Sequence, residues 1–585
     1  MMRYFKIFFA LFILAGSFVS CKKVFDVKQE GALTEANHYR NVYDADAAVI
    51  GIYGKLLGLA KQYVVLNELR ADLTEVTQNS DEYLRQIATH NVTEDNPYAD
   101  PRPFYNLIMD CNDALKNFMV MRNDLKMTET EFAHRYSDVG AVRSWLYLQL
   151  GIHYGNIPYV TNPVSNINDL KNEANFPLVP FDALLDTLIN FTATLPYLDM
   201  YPSNTSLQMV VDGYNTQKFF INKRSLLGDL YLWRGNYNAA ATQYRMVMDL
   251  PQTLYSESQS MFFDMYKVRF ADVATNNDLS VGYIRFREND INAMVDNNGQ
   301  GWRSMFARGQ DDIFNWEWMW FLPFDKNFKP ANPLVELFSP NGGKYLLKPS
   351  QQAIDYWNSQ VQDNNFPFDA RNRFSYRTLG GQNVIMKYLY NYLDGTTFQP
   401  INVLEKTSKW FLYRAAAMHL HFAEAANREG KNKLAYAFVN KGILATYDMP
   451  GRTSSSDVTE YQNTLWEPYP YNFDARNGDF PRYRAPWHRH AGLRGRAYVK
   501  AVPIATGADS TTAIENMILD EGALELAFEG YRWPDLLRIA KRRNDPSILA
   551  DRVAAKLQKD GVGNAADVKA KLMNPSNWYL PFKWK

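Results

Sequence analysis

Three tryptophans at alternate positions, Trp316, Trp318 and Trp320, with Trp302 and Phe321 close by, are the residues whose type and spacing most invite a chemical reading. Aromatic rings offer flat faces on which the CH face of a sugar stacks. The neighbouring Arg303, Arg308, Asp311, Asp312 and Glu317 would then orient hydroxyls around such a platform. The same alternation equally fits one face of a buried strand, so platform and core both stay open.

Residues suited to bond-making chemistry are sparse. Glu525 and Glu529 lie one helical turn apart, but capping and ion pairing are commoner uses of such a pair than acid/base work. His488-Arg489-His490 has two imidazoles, yet Arg484, Arg489 and Arg494 would repel a cation and no acidic third ligand adjoins. His419 and His421, two apart on a helix, point to different faces. Gly561-Val562-Gly563 begins like a dinucleotide fingerprint but follows a helical stretch, which makes it a turn. There is no nucleophile elbow, no His-Glu-x-x-His and no phosphate loop. No catalytic residue, cofactor or metal is expected.

The bulk numbers agree with a globular binding protein. Of 585 residues, 46% are hydrophobic and 22% charged, which argues against disorder and against a multi-span membrane protein. Net charge is zero, and the one basic cluster, Lys541-Arg542-Arg543, reads as the cationic last turn of a helix, so a nucleic-acid partner is not expected. Aromatic content is 15%, with 37 Tyr, 35 Phe and 13 Trp; most must fill core, and clustered aromatics in loops are the candidates for binding.

The chain begins with Arg3 and Lys6 before an apolar run from Ile7 to Val19, too short to span a bilayer and suited to a signal peptide over residues 1–20. Phe18-Val19-Ser20-Cys21 ends it with a small residue before a cysteine, the grammar of a bacterial lipobox, so Cys21 is expected to carry lipid. Cys111 is the other cysteine. It would then be unpaired, a small buried hydrophobe in an apolar-periodic stretch.

The elements that must position any site are helical. Helical character runs from Asn37 to Leu57, with Thr34 and Asn37 as caps, then from Tyr105 to Met121, Ser137 to Tyr154 and Phe181 to Leu195. A polar loop-like tract, Asp72 to Pro103, separates the first two. Leu227-Gly228, Tyr231, Gly235-Asn236-Tyr237, Ala240, Tyr244 and Pro251 fall at the spacings of a tetratricopeptide unit, and Phe411 to Ala445 is a weaker copy. Such hairpins must stack to bury their faces, and the earlier helices would supply the rest. Residues 251–400 are irregular and rich in Asn, Asp, Gly, Pro and aromatics, with short strands expected at Tyr283 to Arg287 and Val384 to Tyr390. A second excursion covers Ser454 to Pro486.

Several segments, in order along nearly the whole chain, resemble the SusD/RagB family of Bacteroidetes outer-membrane nutrient-binding lipoproteins. Beyond the lipobox these are Pro103-Phe104-Tyr105-Asn106-Leu107-Ile108 with Asn112, the Arg143-Ser144-Trp145-Leu146-Tyr147-Leu148 helix running into Tyr154-Gly155-Asn156-Ile157-Pro158-Tyr159, and above all Ile518 to Leu536, containing Glu525-Leu526-Ala527-Phe528-Glu529-Gly530-Tyr531-Arg532-Trp533-Pro534-Asp535-Leu536. Read physically, that last block is a helix, a Gly530 turn and a second helix begun at Pro534, with Arg532 paired to Asp535 or Glu529. Lys22-Lys23 departs from the acidic tract often associated with surface export, and Asn577 to Phe582 only echoes the family's usual tail.

The resemblance implies a mainly α, tetratricopeptide-like scaffold with long irregular insertions and a few short strands. Its single body would be residues 21–585: scaffold about 37–250, 405–450 and 510–550, ligand-binding insertion about 251–400, and second excursion about 451–510. It further implies a non-catalytic, lipid-anchored outer-membrane protein facing the cell exterior that binds oligosaccharides or peptides and delivers them to a SusC-like TonB-dependent transporter. In similar proteins the early loop contributes ligand contacts, which adds Tyr83, Asn96 and Tyr98 to Trp302, Trp316, Trp318 and Trp320 as candidate ligand-binding residues. Two other classes compete: a secreted helical glycoside hydrolase, and a periplasmic tetratricopeptide scaffold, which leaves the aromatic insertion unexplained.

Overall fold

The computed structural model describes residues 39–582 apart from 164–172, 203–204, 249–266, 270–300, 308–316, 328, 364, 366, 448–463, 465, 474–483, 487–491 and 498. Cys21, Tyr283 to Arg287, Trp316 and His488-Arg489-His490 therefore lie outside the described residues.

A stack of antiparallel helices forms the frame. Helix α1, Val42–Leu56, starts where the Asn41 side chain accepts from the backbone N–H of Tyr43 and Asp44, and it runs on through α2, Ala60–Val64, into a π-helical turn, Val65–Leu69. The expected loop tract holds β1, Thr74–Val76, and helix α3, Glu82–Ala88. Then come α4, Arg102–Asn123, and α5, Glu129–Tyr154, opened by a Thr128/Glu131 capping box and stopped at Gly155. α6, Phe181–Ala193, leads to the tetratricopeptide-like pair α7, Lys223–Arg234, and α8, Tyr237–Met248. Gly228 on α7 faces the ring of Tyr244 on α8 so closely that any β-carbon would collide with it, which is why a small residue stands there.

The second hairpin falls where its pattern placed it: α10, Ala415–Arg428, and α11, Asn432–Val439, joined at Gly430 with positive φ. Helices α1, α4, α5, α6, α7, α8 and α10 pack each on the next, and α12, Ser510–Glu525, closes the stack against α10 and α11. Stacking buries the apolar stripe that no single hairpin could hide. Side chains of the recognised segments join neighbouring layers. Arg143 on α5 donates to Asn112 on α4 at 2.8 Å, and Asn112 donates to the Val160 carbonyl at 2.9 Å.

Between the two hairpins the chain supplies core. Strand β2, Trp318–Phe324, pairs antiparallel with β6, Ser408–Arg414, with register shifts between Phe411 and Arg414, and all seven residues of each are buried. β3, Leu347–Pro349, pairs with β1, helix α9 spans Gln351–Asn358, and β4, Tyr376–Leu379, pairs with β5, Gln382–Ile385. The second expected strand thus ends at Ile385 rather than Tyr390.

The C-terminal block is a buried electrostatic corner. After α12 the chain turns through Phe528 and Gly530, both at positive φ, into α13, Arg532–Arg543. Glu68 accepts from the backbone N–H of Phe528 (3.1 Å), Gly530 (2.6 Å) and Tyr531 (3.2 Å), and so fastens this turn to the π turn after α2. Burial pushes the Glu68 carboxyl up to about 8, against the backbone donors of Gly530 and Phe528 and the charge of Lys387. Arg532 makes a two-pronged contact with Asp72 at 2.6 and 2.8 Å, not with Asp535 or Glu529 as the local sequence suggested; its nearest carboxylates in space come from the far end of the chain. Glu529 binds Arg414 and Lys387, Glu525 binds Arg371, Arg414 and Arg496, and Glu521 binds Arg371 and Arg494. With Glu317 on Arg414 and Arg496, and Asp369 on Arg371, five carboxylates meet five cations in the interior. This balance lets charges sit where an unpaired one could not. Helices α14, Ser547–Asp560, and α15, Ala565–Leu572, complete the body, and Gly561-Val562-Gly563 is the turn between them.

Candidate functional site

The tryptophan platform is core. Trp302, Trp318 and Trp320 are each at most 2% exposed. Trp318 donates its indole N–H to the Met305 carbonyl at 3.0 Å, and Trp320 donates to the Phe219 carbonyl at 2.9 Å. Trp320 packs edge-on against Trp145, which stacks on Tyr63, which in turn meets Trp410. Because β2 is covered on both faces, its alternation sorts rings between two buried layers and offers none to solvent. Glu317, expected at the rim of a platform, is spent inside on Arg414 and Arg496.

The early-loop residues come together, in unequal roles. Helix α3 is capped by Asp81, whose carboxylate accepts from the Leu84 N–H at 2.8 Å; Leu84, Ile87 and Ala88 are buried and leave Tyr83 half-buried at the rim. Asn96 is buried and acts as the fastener. Its amide donates to the Tyr83 carbonyl (2.9 Å) and to Gln86 (3.0 Å), while its oxygen accepts from the Tyr98 N–H (3.0 Å). Asn96 is thereby corrected from a ligand contact to a positioning residue, since its polar atoms are already committed. Gln62 on α2 donates to the carbonyls of Tyr98 (2.9 Å) and Asp100 (2.7 Å), and the Tyr154 hydroxyl donates to the Ala99 carbonyl (2.9 Å). A loop fixed at so many points presents its rings without further ordering.

Tyr98 carries the surface. Its half-buried ring lies 5.6 Å from the Lys61 ammonium, and Lys61 pairs with Glu336 at 2.9 Å, which also takes Lys344 at 2.5 Å. Burial, then the charges of Asp81 and Glu336, push the Tyr98 phenol up to about 12, so it stays protonated and able to donate. Burial raises the Glu336 carboxyl, but hydrogen bonds and charge from Lys344 and Lys61 hold it below the usual range. The result is an aromatic face edged by a neutral hydroxyl, an ammonium pair and a carboxylate. Lys61 comes from a part of the chain remote from Glu336 and Lys344, and no spacing in the sequence joins it to them.

A second polar cluster is interior. His421 on α10 lies 2.8 Å from Asp229 and 3.5 Å from Asp535, and the Tyr244 and Tyr413 hydroxyls donate to Asp229 at 2.6 and 3.0 Å. It borders a cavity of about 50 Å³, room for a water or so and too small for a substrate. Burial opposes a charge on His421, yet Asp229 and Asp535 outweigh it and push the imidazole up to about 9.

Comparison with known proteins bears on the fold and on the C-terminal segment. Residues 490–583 match the model of the SusD family. The whole body is similar to a SusD superfamily protein from Bacteroides vulgatus ATCC 8482, with a TM-score of 0.55 and 12% identity, covering 91% of this chain and 92% of that one. The chain has a SusD-like fold. Its fold is also similar to that of surface glycan-binding protein A from Bacteroides uniformis (TM-score 0.56, 14% identity, 92% and 96% covered) and to that of a laminarin-binding SusD-like protein (TM-score 0.52, 16% identity, 88% and 94% covered). No curated protein matches in sequence. The SusD-like C-terminal segment, residues 490–583, holds Glu521, Glu525 and Glu529 of the buried corner, and those carboxylates face cations inside the protein instead of any cleft.

Proposed function

We propose that this SusD-like chain is a lipoprotein, held on the outer membrane through Cys21, that captures an oligosaccharide on its surface and passes it unchanged to a SusC-like TonB-dependent transporter. The observation that carries the reading is the fastened early loop, which holds Tyr98 beside Lys61 and its partner Glu336, itself paired with Lys344, and ties the Tyr83 backbone to the same loop through Asn96. A sugar ring has an apolar CH face and a hydroxyl edge, and this surface has an aromatic face and a charged, hydrogen-bonding edge. Two proteins of the same fold are named for binding glycan and laminarin, which favours a carbohydrate over a peptide. A hydrolytic reading finds little support: the densest carboxylates, Glu525 and Glu529, are sealed in ion pairs.

Isothermal titration of the chain from residue 22 to 585 with oligosaccharides tests it. Saturable binding weakened roughly tenfold or more by Tyr98→Ala is the expected result, as for a ring at the centre of a contact. Affinity equal to the parent's in both Tyr98→Ala and Tyr83→Ala/Tyr98→Ala overturns the site. Copurification of the full lipidated chain with a TonB-dependent barrel is the corresponding test of the partner.

A further inference from the structure

Trp466 stands apart from every other tryptophan among the described residues. It is 61% exposed, while none of the others exceeds 7%. A single exposed ring needs no explanation, but this one is mounted. Residues 464 and 473 close a short loop: the Thr464 N–H donates to the Phe473 carbonyl at 2.9 Å, and the Thr464 hydroxyl donates to the Tyr471 carbonyl at 2.7 Å and accepts from the Phe473 N–H at 2.7 Å. The inner side of the loop is anchored. Tyr471 and Phe473 are buried against Phe422 on α10, Phe473 also meets Phe438 on α11, and the Arg245 guanidinium from α8 lies 3.8 Å over the Phe473 ring. The outer side presents Trp466 and Tyr469.

The exposed ring has an aromatic neighbour, and charged groups lie on the residues next to the pair. Trp466 meets the ring of Tyr447 at 6.0 Å and 61°, and Lys433 of α11 holds its ammonium 4.3 Å above Tyr447. Glu467, the next residue, pairs with Lys431 at 2.6 Å. One open indole face, with Tyr447 and its Lys433 on one side and the Lys431–Glu467 ion pair at the next residue, is too small and has too many charges nearby for the apolar centre of a protein interface. It suits a ligand with a flat CH face and hydroxyl edges.

We propose that the Trp466 ledge is a second carbohydrate-stacking subsite, separate from the Tyr83/Tyr98 surface, that takes one sugar ring of a long glycan. The inference rests on the glycan-binding reading. Its role is avidity: a chain held at two points leaves more slowly than one held at either.

Native gels, each containing one soluble polysaccharide (laminarin, mixed-linkage β-glucan, starch, xylan or mannan), test it with the chain from residue 22 to 585. The protein is retarded in the gel of its glycan. Trp466→Ala weakens the apparent affinity there roughly tenfold, and Trp466→Tyr, which keeps a ring, retains most of the retardation. Glycan also shields the exposed indole from acrylamide quenching, a protection that Trp466→Ala removes. Retardation of Trp466→Ala equal to that of the parent, with Tyr83→Ala/Tyr98→Ala impaired, overturns the ledge and leaves the glycan reading standing. A parent chain retarded in none of the gels overturns both.

Discussion

Replacing Arg414 by methionine tests whether the buried corner is held by charge balance. The guanidinium donates to Glu529 at 2.7 and 3.0 Å, to Glu317 at 2.5 Å, to Glu525 at 3.3 Å and to the Glu525 carbonyl at 3.1 Å, and it is fully buried. Methionine fills much of the volume but leaves five carboxylates facing four cations, an uncompensated negative charge that costs about 3–5 kcal/mol. Glu529 loses most, since Lys387 at 2.6 Å becomes its remaining cation. In the parent, burial raises the Glu529 carboxyl, but Arg414 and Lys387 outweigh it and hold it below the usual range. Its contribution is therefore present above the unfolded value and is lost as pH falls through the folded one. Without Arg414 the folded value rises above the unfolded one, so the deficit is largest at neutral pH and shrinks as acid protonates the site. Urea unfolding followed by circular dichroism at pH 7 and pH 5 should show a smaller gap at pH 5. Arg414→Met/Glu529→Gln, which restores four against four, should recover part of the loss. A cost below about 1 kcal/mol at pH 7, or a double variant no better than the sum of its singles, would refute the charge-balance account.

His421 gives the opposite pH signature. With its imidazole raised from 6.5 to about 9, its pairing with Asp229 stabilises the fold fully below pH 6.5 and is lost as pH rises toward 9, by at most about 3 kcal/mol; His421→Gln should flatten that decline in a pH series of melting curves. Trp318→Ala should lower stability by about 3–5 kcal/mol in urea unfolding, and a stable variant that had merely lost binding would return Trp318 to the surface. Cys111 is buried with its thiol pushed up by desolvation, so native protein should not react with a thiol-specific reagent until it is unfolded.

The helices were legible because their signals are local: capping residues, three- and four-residue apolar spacing, and the Gly228/Tyr244 fit all act within a few turns. The aromatic insertion misled for a physical reason. Alternation over Trp318 and Trp320 is the same whether a strand has one wet face or two dry ones, and only the neighbours brought by Trp145, Phe219 and Phe411 decide it. The early loop was half legible. Tyr83 and Tyr98 could be named, but that Asn96 is spent on holding them depends on how the loop folds back on itself, and that Glu336 and Lys344 stand beside Lys61 depends on a contact across more than two hundred residues. The pairing of Arg532 with Asp72 rather than Asp535 was missed on the same ground.

An array of glycans and peptides probed with the chain from residue 22 to 585, with each captured ligand recovered and its mass measured, addresses the central claim most directly. Capture of one class of oligosaccharide, returned intact and no longer captured by Tyr83→Ala/Tyr98→Ala, is the predicted result. Capture of peptides alone, or recovery of shortened glycan, would contradict it.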